Sequence, residues 1–222
     1  NWFSTHAGGH VAVYPMFAAN RRRERRWDVI DMLKQDYRVQ DVIDYSGLEA
    51  DDLALEGTGA MVLDHAERVA YVARSKRADP VLLERFCTHF GFEPIVFDAV
   101  DASGAPVYHT NVLMGIGTAY ALVGLSLISN ETRRATVASR LAEPGREIID
   151  LSADQIANFA GNAIELTGRD GPVLVLSARA LASLNDDQIN TISRSASLLP
   201  LDLPTIETAG GSARCMIAGV HL

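Results

Sequence analysis

The chain has 222 residues, of which 48% are hydrophobic and 22% charged, and its formal net charge is −8. This composition is typical of a folded globular protein that buries a large core, and it excludes a disordered or fibrous chain. The acidic balance argues against a protein that coats nucleic acid or an anionic membrane. Two cysteines, Cys87 and Cys215, cannot form a disulfide framework, so we expect free thiols in a reducing compartment, the cytoplasm.

No targeting or membrane segment is predicted. The sequence opens at Asn1 without a methionine, a charged leader or an apolar signal region. The uncharged stretch 112–129 is 18 residues long, the lower limit for a membrane helix, but glycines and polar residues interrupt it. The repeat described next divides this stretch into two strands.

The chain contains a repeat of about 53 residues. Stretches with helical apolar spacing begin 52 or 53 residues apart, at Trp27, Pro80, Thr132 and Asn185. Two β-like runs precede each helix, and a short strand follows it, ending near Asp44, Asp98, Asp150 and Asp202. Each module therefore reads strand, strand, helix, strand, which predicts an α/β fold.

The modules are predicted to form one domain, residues 1–222, arranged as a propeller around an axis. Four modules are complete, but the chain begins inside a strand and ends with RCMIAGVHL, which we interpret as a strand without a partner. A closed ring needs partners for both strands. We therefore expect five modules, with the first one incomplete because its N-terminal segment is absent from this chain.

The residues that open successive modules carry the chemistry. Glu56, His109, Asn162 and Cys215 lie 53 residues apart, and Asn1 stands 55 residues before Glu56 in the same slot. Equivalent positions of modules around an axis meet at one end of it. The spacing therefore predicts a pocket that contains a carboxylate, an imidazole, two amides and a thiol.

These residue types suit nucleophilic catalysis, in which a thiolate attacks and an imidazole transfers protons. Cys215 follows the Gly210-Gly211-Ser212 turn, where the backbone has room to approach a ligand. Taken singly, Cys215 could be a small core residue, His109 a core histidine and Glu56 a surface residue. Their shared register favours the site instead. Asn111, two residues after His109, is expected on the same face of a strand.

The sequence contains two other polar patterns, a run of arginines and a scattered set of histidines and cysteines. The run of five arginines at Arg21–Arg23, Arg25 and Arg26 is typical of a solvated surface, and it lacks the aromatic residues of a nucleic-acid site. His6, His10, Cys87 and His89 do not supply a full ligand set at usable spacing, so no metal site is predicted.

The segments LEGTG, YHTNV and GGSARCM, together with NWFSTH and FAANRRRERR, give the chain a family resemblance. The sequence resembles the guanidine-modifying, or amidinotransferase, superfamily, and within it the citrulline-utilisation hydrolases and arginine deiminase-related proteins, akin to dimethylarginine dimethylaminohydrolase. The resemblance implies the pentein fold, a propeller of five α/β modules.

The resemblance also implies roles for the residues. Cys215 would be the nucleophile that forms a covalent thioether intermediate, His109 the acid and then the base, and Glu56 the carboxylate that holds the substrate nitrogens. The implied substrate-binding residues are Asn1, Asn111, Asn162, Arg22 and Arg77, with Arg22 and Arg77 on the substrate α-carboxylate.

The expected function is that of a cytoplasmic cysteine hydrolase, without metal or organic cofactor, that cleaves a C–N bond of a small guanidino or ureido amino acid. Relatives usually have acidic residues where Asn1 and Asn111 stand, and an amide suits a neutral ureido group better than a cation. Arginine-like and citrulline-like substrates therefore both stay open. Two alternatives also stay open, an amidinotransferase and a non-catalytic propeller that binds amino acids. A homodimer is left open as the assembly, and neither nucleic acid nor membrane is an expected partner.

Overall fold

Twelve strands and nine α-helices make up the computed structural model, which describes residues 1–222. The strands are β1 (Phe3–His6), β2 (His10–Val13), β3 (Asp41–Asp44), β4 (Met61–Asp64), β5 (Val69–Ala73), β6 (Glu93–Phe97), β7 (Met114–Ile116), β8 (Tyr120–Val123), β9 (Glu147–Asp150), β10 (Ile164–Gly168), β11 (Gly171–Ser177) and β12 (Ser197–Leu201). The helices are α1 (Trp27–Asp36), α2 (Gly57–Ala60), α3 (Pro80–Phe90), α4 (Thr110–Leu113), α5 (Glu131–Ala142), α6 (Ala153–Ala157), α7 (Ala178–Ser183), α8 (Asp186–Ser193) and α9 (Pro204–Thr208). Four 3₁₀ turns lie at Ala19–Glu24, Ser46–Asp51, Leu125–Leu127 and Ala213–Met216.

The strands form four sheets of three strands each, β1-β2-β3, β4-β5-β6, β7-β8-β9 and β10-β11-β12. In every sheet the first two strands are antiparallel and the last two are parallel. A parallel pair needs a crossover connection, and the long helices α1, α3, α5 and α8 lie in these crossovers. The predicted order of strand, strand, helix, strand is confirmed in all four modules.

Capping side chains lie at the helix starts that the sequence predicts. Asp79 accepts hydrogen bonds from the backbone of Val81 and Leu82, with Pro80 in the first turn of α3. Asn130 caps α5, and Asn185 forms a capping box with Gln188 at the start of α8. The short helix α7, which precedes α8 in the same crossover, was not predicted.

The core lies mainly between neighbouring modules. One apolar cluster joins the second and third sheets and includes Tyr71, Phe97, Leu113 and Val123, all at most 1% exposed. Similar clusters join the first sheet to the second and the third to the fourth. Cys87 is buried in one of them. Because adjacent modules share apolar side chains, each sheet holds its neighbour in a fixed place.

One expectation needs correction. The segment RCMIAGVHL is not a strand, since it forms the turn Ala213–Met216 and then runs without regular structure. Its backbone forms hydrogen bonds with a side chain in place of a neighbouring strand. Thr5 Oγ1 donates to the carbonyl of Gly219 at 3.1 Å and accepts from the backbone N–H of His221 at 2.7 Å. The sheet β1-β2-β3 is one of the four complete modules that the sequence predicts.

The uncharged stretch 112–129 folds into part of α4, the hairpin β7-β8 and a 3₁₀ turn. None of the helices has both the length and the apolar character to cross a membrane.

Candidate active site

The residues that open the modules occupy equivalent places in the fold. Glu56 precedes α2 and β4, His109 precedes α4 and β7, and Asn162 lies two residues before β10. Asn1 stands in front of β1, and Cys215 lies in the turn Ala213–Met216. The repeat therefore places Asn1, Glu56, His109 and Asn162 just ahead of a strand, whereas Cys215 lies in a turn that no strand follows.

Glu56 is the centre of a charged network, and its side chain is fully buried. Its Oε2 atom accepts from His109 Nε2 at 2.7 Å, from Arg21 Nη1 at 2.5 Å and from Arg77 Nη1 at 3.1 Å. Its Oε1 atom accepts from the backbone of Phe17 at 3.1 Å. Both carboxylate oxygens are therefore occupied, and the carboxylate joins the first three modules of the chain.

The network sets the protonation states. Burial alone would raise the pKa of Glu56, but the hydrogen bond from His109 and the charges of His109, Arg21 and Arg77 outweigh it and hold the pKa at about 2. Burial lowers the pKa of His109, and the hydrogen bond to Glu56 opposes this effect only in part. At neutral pH the site therefore holds an ionised carboxylate beside a neutral imidazole, which is ready to accept a proton.

Cys215 lies among amides. Asn162 Nδ2 donates to Cys215 Sγ at 3.2 Å, and Asn111 Nδ2 lies 3.6 Å from the same sulfur. Both asparagines are completely buried, whereas Cys215 is half-buried. Cys87 has no such surroundings, and burial raises its thiol pKa to about 11. The two cysteines are thus distinguished by structure, and only Cys215 has polar donors on its sulfur.

Asn1, Glu56 and His109 come close because a glycine lies between them. A Cβ on Gly59 would lie 2.6 Å from Asn1 Nδ2 and 2.9 Å from His109 Cε1. No larger residue fits without moving one of the two side chains. The second glycine of LEGTG therefore allows the first three module openings to pack against one another.

The thiol and the imidazole line one open cleft of about 590 Å³. Asn1, Arg77, His109 and Cys215 are predicted site residues on its wall. Its other lining residues are Asn20, Arg21, Glu24, Tyr108, Ile206, Ala209, Gly210 and Gly211. Glu56 is buried beneath this wall in contact with His109, and Asn111 and Asn162 are buried in contact with Cys215.

Arg22 lies outside the cleft. Its Nε atom donates to the carbonyl of Met16 at 3.3 Å and is 3.3 Å from a carboxylate oxygen of Glu49. Arg21, one residue earlier, reaches the cleft and Glu56 instead. The place of Arg22 therefore gives no support to its predicted contact with a substrate carboxylate. Asn111 also differs from expectation, since it lies in the short helix α4 rather than on a strand with His109.

Tyr108 was not singled out from the sequence. The guanidinium of Arg77 lies over its ring, 5.2 Å from the centroid, and its hydroxyl donates to the carbonyl of Gly210. Tyr108 thereby ties the loop before Cys215 to the loop of His109. Its position beside His109 in YHTNV was the only available signal.

Comparison with known proteins shows the family of the chain and its fold. The family model for eukaryotic N,N-dimethylarginine dimethylhydrolase matches residues 1–222. No curated protein matches the chain.

Three solved structures share the fold. ArgZ, an arginine dihydrolase of the ornithine-ammonia cycle in cyanobacteria, aligns at a TM-score of 0.75 and 15% identity over 99% of this chain and 32% of its own. Unliganded AgrE aligns at 0.73 and 16% identity over 99% of this chain and 30% of its own. A dimethylarginine dimethylaminohydrolase adduct with S-methyl-L-thiocitrulline aligns at 0.63 and 12% identity over 97% of this chain and 73% of its own.

The chain thus spans about a third of the length of full-length ArgZ and AgrE and most of the length of the dimethylarginine hydrolase. At these identities the likeness shows the fold, which is the predicted pentein α/β type. The family model covers the whole chain, and its match is independent of the structure. On that match, the chain belongs to the N,N-dimethylarginine dimethylhydrolase family of guanidine-modifying proteins.

Proposed function

We propose that the protein is a cysteine-dependent hydrolase that cleaves a C–N bond of a guanidino or ureido group in a small amino acid. The observation that carries this proposal is the meeting of Cys215 and His109 at one cleft, with Glu56 on the imidazole and two buried amides on the thiol. A nucleophile, a proton carrier and a group that orients it are the parts this chemistry needs. The solved relatives include an ArgZ domain covalently bound to a reaction intermediate, which supports a covalent route.

The proposed steps use the protonation states of the site. Neutral His109 takes the proton of the Cys215 thiol, and the thiolate attacks the guanidino or ureido carbon to form an S–C bond. Glu56 stabilises the imidazolium, which then gives its proton to the departing nitrogen as the C–N bond breaks. Water next adds to the carbon of the covalent intermediate, His109 accepts its proton, and the S–C bond breaks. A guanidino substrate and one water thereby yield a ureido product and ammonia or an amine.

Substrate entry must rearrange the charged network, because every oxygen of Glu56 already has partners. Arg21 and Arg77 lie between Glu56 and the cleft that they line, so we expect a substrate nitrogen to reach Glu56 by replacing one of them. The displaced guanidinium is then free to bind the substrate carboxylate. This exchange gives Arg77 the carboxylate-binding role predicted from the sequence and assigns Arg21 the place that was expected for Arg22.

The choice between guanidino and ureido groups is a matter of charge. The three asparagines near the thiol add no negative charge to the site: Asn1 lies on the cleft wall, and Asn111 and Asn162 contact Cys215. The two nearby carboxylates already have cationic partners. Glu56 pairs with Arg21 and Arg77, and Glu24 pairs with Arg21. We keep both groups in the proposal, together with a cytoplasmic location and a small-molecule rather than nucleic-acid partner. Asn1 and Asn111 are proposed to contact the reacting group.

The test is a panel of arginine, methylated arginines and citrulline, assayed for ammonia and for methylamines with no acceptor amine present. At least one member is expected to be hydrolysed, and Cys215→Ala is expected to remove turnover while the thermal midpoint stays near that of the wild type. Cys87→Ala, which changes the other thiol, should keep its turnover. Wild-type rates in the Cys215→Ala protein would overturn the proposal, and a requirement for an acceptor amine would indicate a transferase.

A further inference from the structure

The side-chain amide of Asn162 has an incomplete set of hydrogen bonds. Its Nδ2 atom has two partners, Cys215 Sγ at 3.2 Å and the carbonyl oxygen of Asn111 at 2.8 Å. Its Oδ1 atom is buried and has none. A buried acceptor without a partner destabilises the fold. The favourable contacts of this side chain are therefore those of its NH₂ group.

The orientation of this amide is determined by its surroundings. A carbonyl oxygen 2.8 Å away accepts but cannot donate, so the atom of Asn162 that faces it must be the nitrogen. One amide hydrogen then points at Asn111 O, and the second is directed at the sulfur. The carbonyl oxygen of Asn111 therefore determines that the nitrogen of the Asn162 amide, and not its oxygen, faces Cys215.

Asn162 also fixes the backbone that carries the thiol. Its own carbonyl accepts from the backbone of Arg214 at 3.2 Å, next to Cys215. Gly161 allows the approach to the neighbouring module, because a Cβ there would lie 2.6 Å from the carbonyl oxygen of Val112. Asn162 thus makes two hydrogen bonds to this segment, one to the backbone of Arg214 and one to the sulfur of Cys215.

The buried side-chain amide of Gln155 provides a comparison with Asn162. Gln155 donates to the carbonyl of Ser183 at 2.9 Å and to Gln188 at 2.7 Å, and its Oε1 atom accepts from the backbone of Ser152 at 3.0 Å. Both ends of Gln155 are satisfied. Asn162 differs in leaving one end empty and directing the other at the one half-buried thiol.

We propose that Asn162 is a positioning residue for the nucleophile, which stabilises the thiolate of Cys215 by an N–H···S hydrogen bond before substrate binds. This role goes beyond the substrate contact expected from the sequence. A thiolate is a better acceptor than a thiol, so the bond from Asn162 strengthens when the proton leaves. Asn111 Nδ2, at 3.6 Å, adds a second and longer contact to the same sulfur.

The experiment measures the rate at which iodoacetamide alkylates Cys215 as a function of pH, with the modified peptide located by mass spectrometry. The charged and titratable groups around the thiol are the α-amino group of Asn1 and the side chains of Arg21, Glu24, Arg77, Tyr108, His109 and Arg214. These groups are the same in every variant, so a difference between variants reports on residue 162. Asn162→Leu and Asn162→Ala remove the donor without adding a charge, the first at nearly constant volume, and Gln155→Leu removes a buried amide elsewhere.

In both Asn162 variants, the pH of half-maximal alkylation should rise by about one unit, which is a tenfold loss of thiolate below that pH. The Gln155→Leu protein should lose thermal stability and keep the wild-type midpoint. An unchanged midpoint in folded Asn162→Ala or folded Asn162→Leu would overturn the proposal. Because no substrate is used, this result stands apart from whether any panel member is hydrolysed.

A second measurement needs no variant. In the wild-type protein, the NMR signals of the Asn162 side-chain NH₂ should move downfield with the same midpoint as alkylation, since its hydrogen bond then goes to an anion. Signals that stay constant across that midpoint would overturn the proposal.

Discussion

At the scale of single residues, Glu56 decides the electrostatics of the site. A buried carboxylate without partners would be strongly destabilising, but here one imidazole and two guanidinium groups surround it. Its pKa of about 2 lies below the ordinary value of 4.5. Because the folded protein binds this proton less readily than the unfolded chain, the stability that Glu56 contributes is present above pH 4.5 and is lost as the pH falls towards 2.

This linkage gives a testable prediction. Over that acid window the wild type should lose roughly 3 kcal/mol of unfolding free energy through Glu56, which follows from about 1.4 kcal/mol per unit of pKa shift. Glu56→Gln, which cannot ionise, should lack this part of the acid dependence and should be less stable at pH 7 by about 2–3 kcal/mol. Urea unfolding between pH 2 and pH 7 measures both.

Glu84, which is exposed, supplies the matched control. Glu84→Gln should unfold with the wild-type pH dependence. If Glu56→Gln does so too, the carboxylate is not held ionised by its neighbours and the proposed support of His109 fails.

At the scale of structural elements, close packing of the loops determines whether the site forms. The loop before β10 passes so near α4 that Gly161 has no room for a side chain. Gly47, in the turn Ser46–Asp51, has no atom within 4 Å of the place where a Cβ would be, and its φ is not in the left-handed region.

The two glycines should therefore respond oppositely to alanine. Gly161→Ala is expected to cost about 2–3 kcal/mol, because a backbone carbonyl cannot easily move away, and to slow alkylation of Cys215 near neutral pH. Gly47→Ala should be neutral or stabilising by about 0.5 kcal/mol, since it restricts the unfolded chain. Denaturant titrations of both proteins check this, and equal destabilisation would show that the close approach is not specific.

Some of these elements can be predicted from local sequence patterns, and others depend on contacts that are distant in the sequence. The four long helices and the caps of α3, α5 and α8 follow from local patterns, and the spacing of Glu56, His109, Asn162 and Cys215 needs only a repeat. The choice between Arg21 and Arg22 is different, because successive residues of a 3₁₀ turn point about 120° apart. Which of the two faces the cleft depends on the distant Glu49 and Glu56, and no local pattern records that.

Other misses have a similar physical origin. A helix of four residues such as α4 is too short to show a helical period, so Asn111 was placed on a strand. The segment RCMIAGVHL has the composition of a strand, but its carbonyl and amide groups meet Thr5 instead of a strand edge. Long-range contacts decided both cases.

At the scale of the whole molecule, buried charges as well as apolar clusters join the modules. Asp64, at the end of β4, pairs with Arg146 just before β9 at 2.5 Å, and their side chains are only 3% and 7% exposed. This pair connects the second sheet to the third at the opposite end of β4 from Glu56.

Removing one partner should therefore destabilise the molecule and spare the chemistry. Asp64→Asn is expected to cost about 3 kcal/mol, since it leaves a buried guanidinium without its charge partner. The double variant with Arg146→Met should cost less than the sum of the single changes. Thermal unfolding and turnover of the folded proteins test this, and additive costs or an altered kcat would contradict it.

The central claim is that the module openings converge into one nucleophilic site at Cys215. The most direct measurement is intact-protein mass spectrometry after incubation with arginine, methylated arginines and citrulline, followed by peptide mapping. We expect a substrate-derived adduct on Cys215, absent in Cys215→Ala and trapped longer in His109→Gly, with release of ammonia or an amine. A folded wild-type protein that forms no adduct and releases no amine with any member would contradict it.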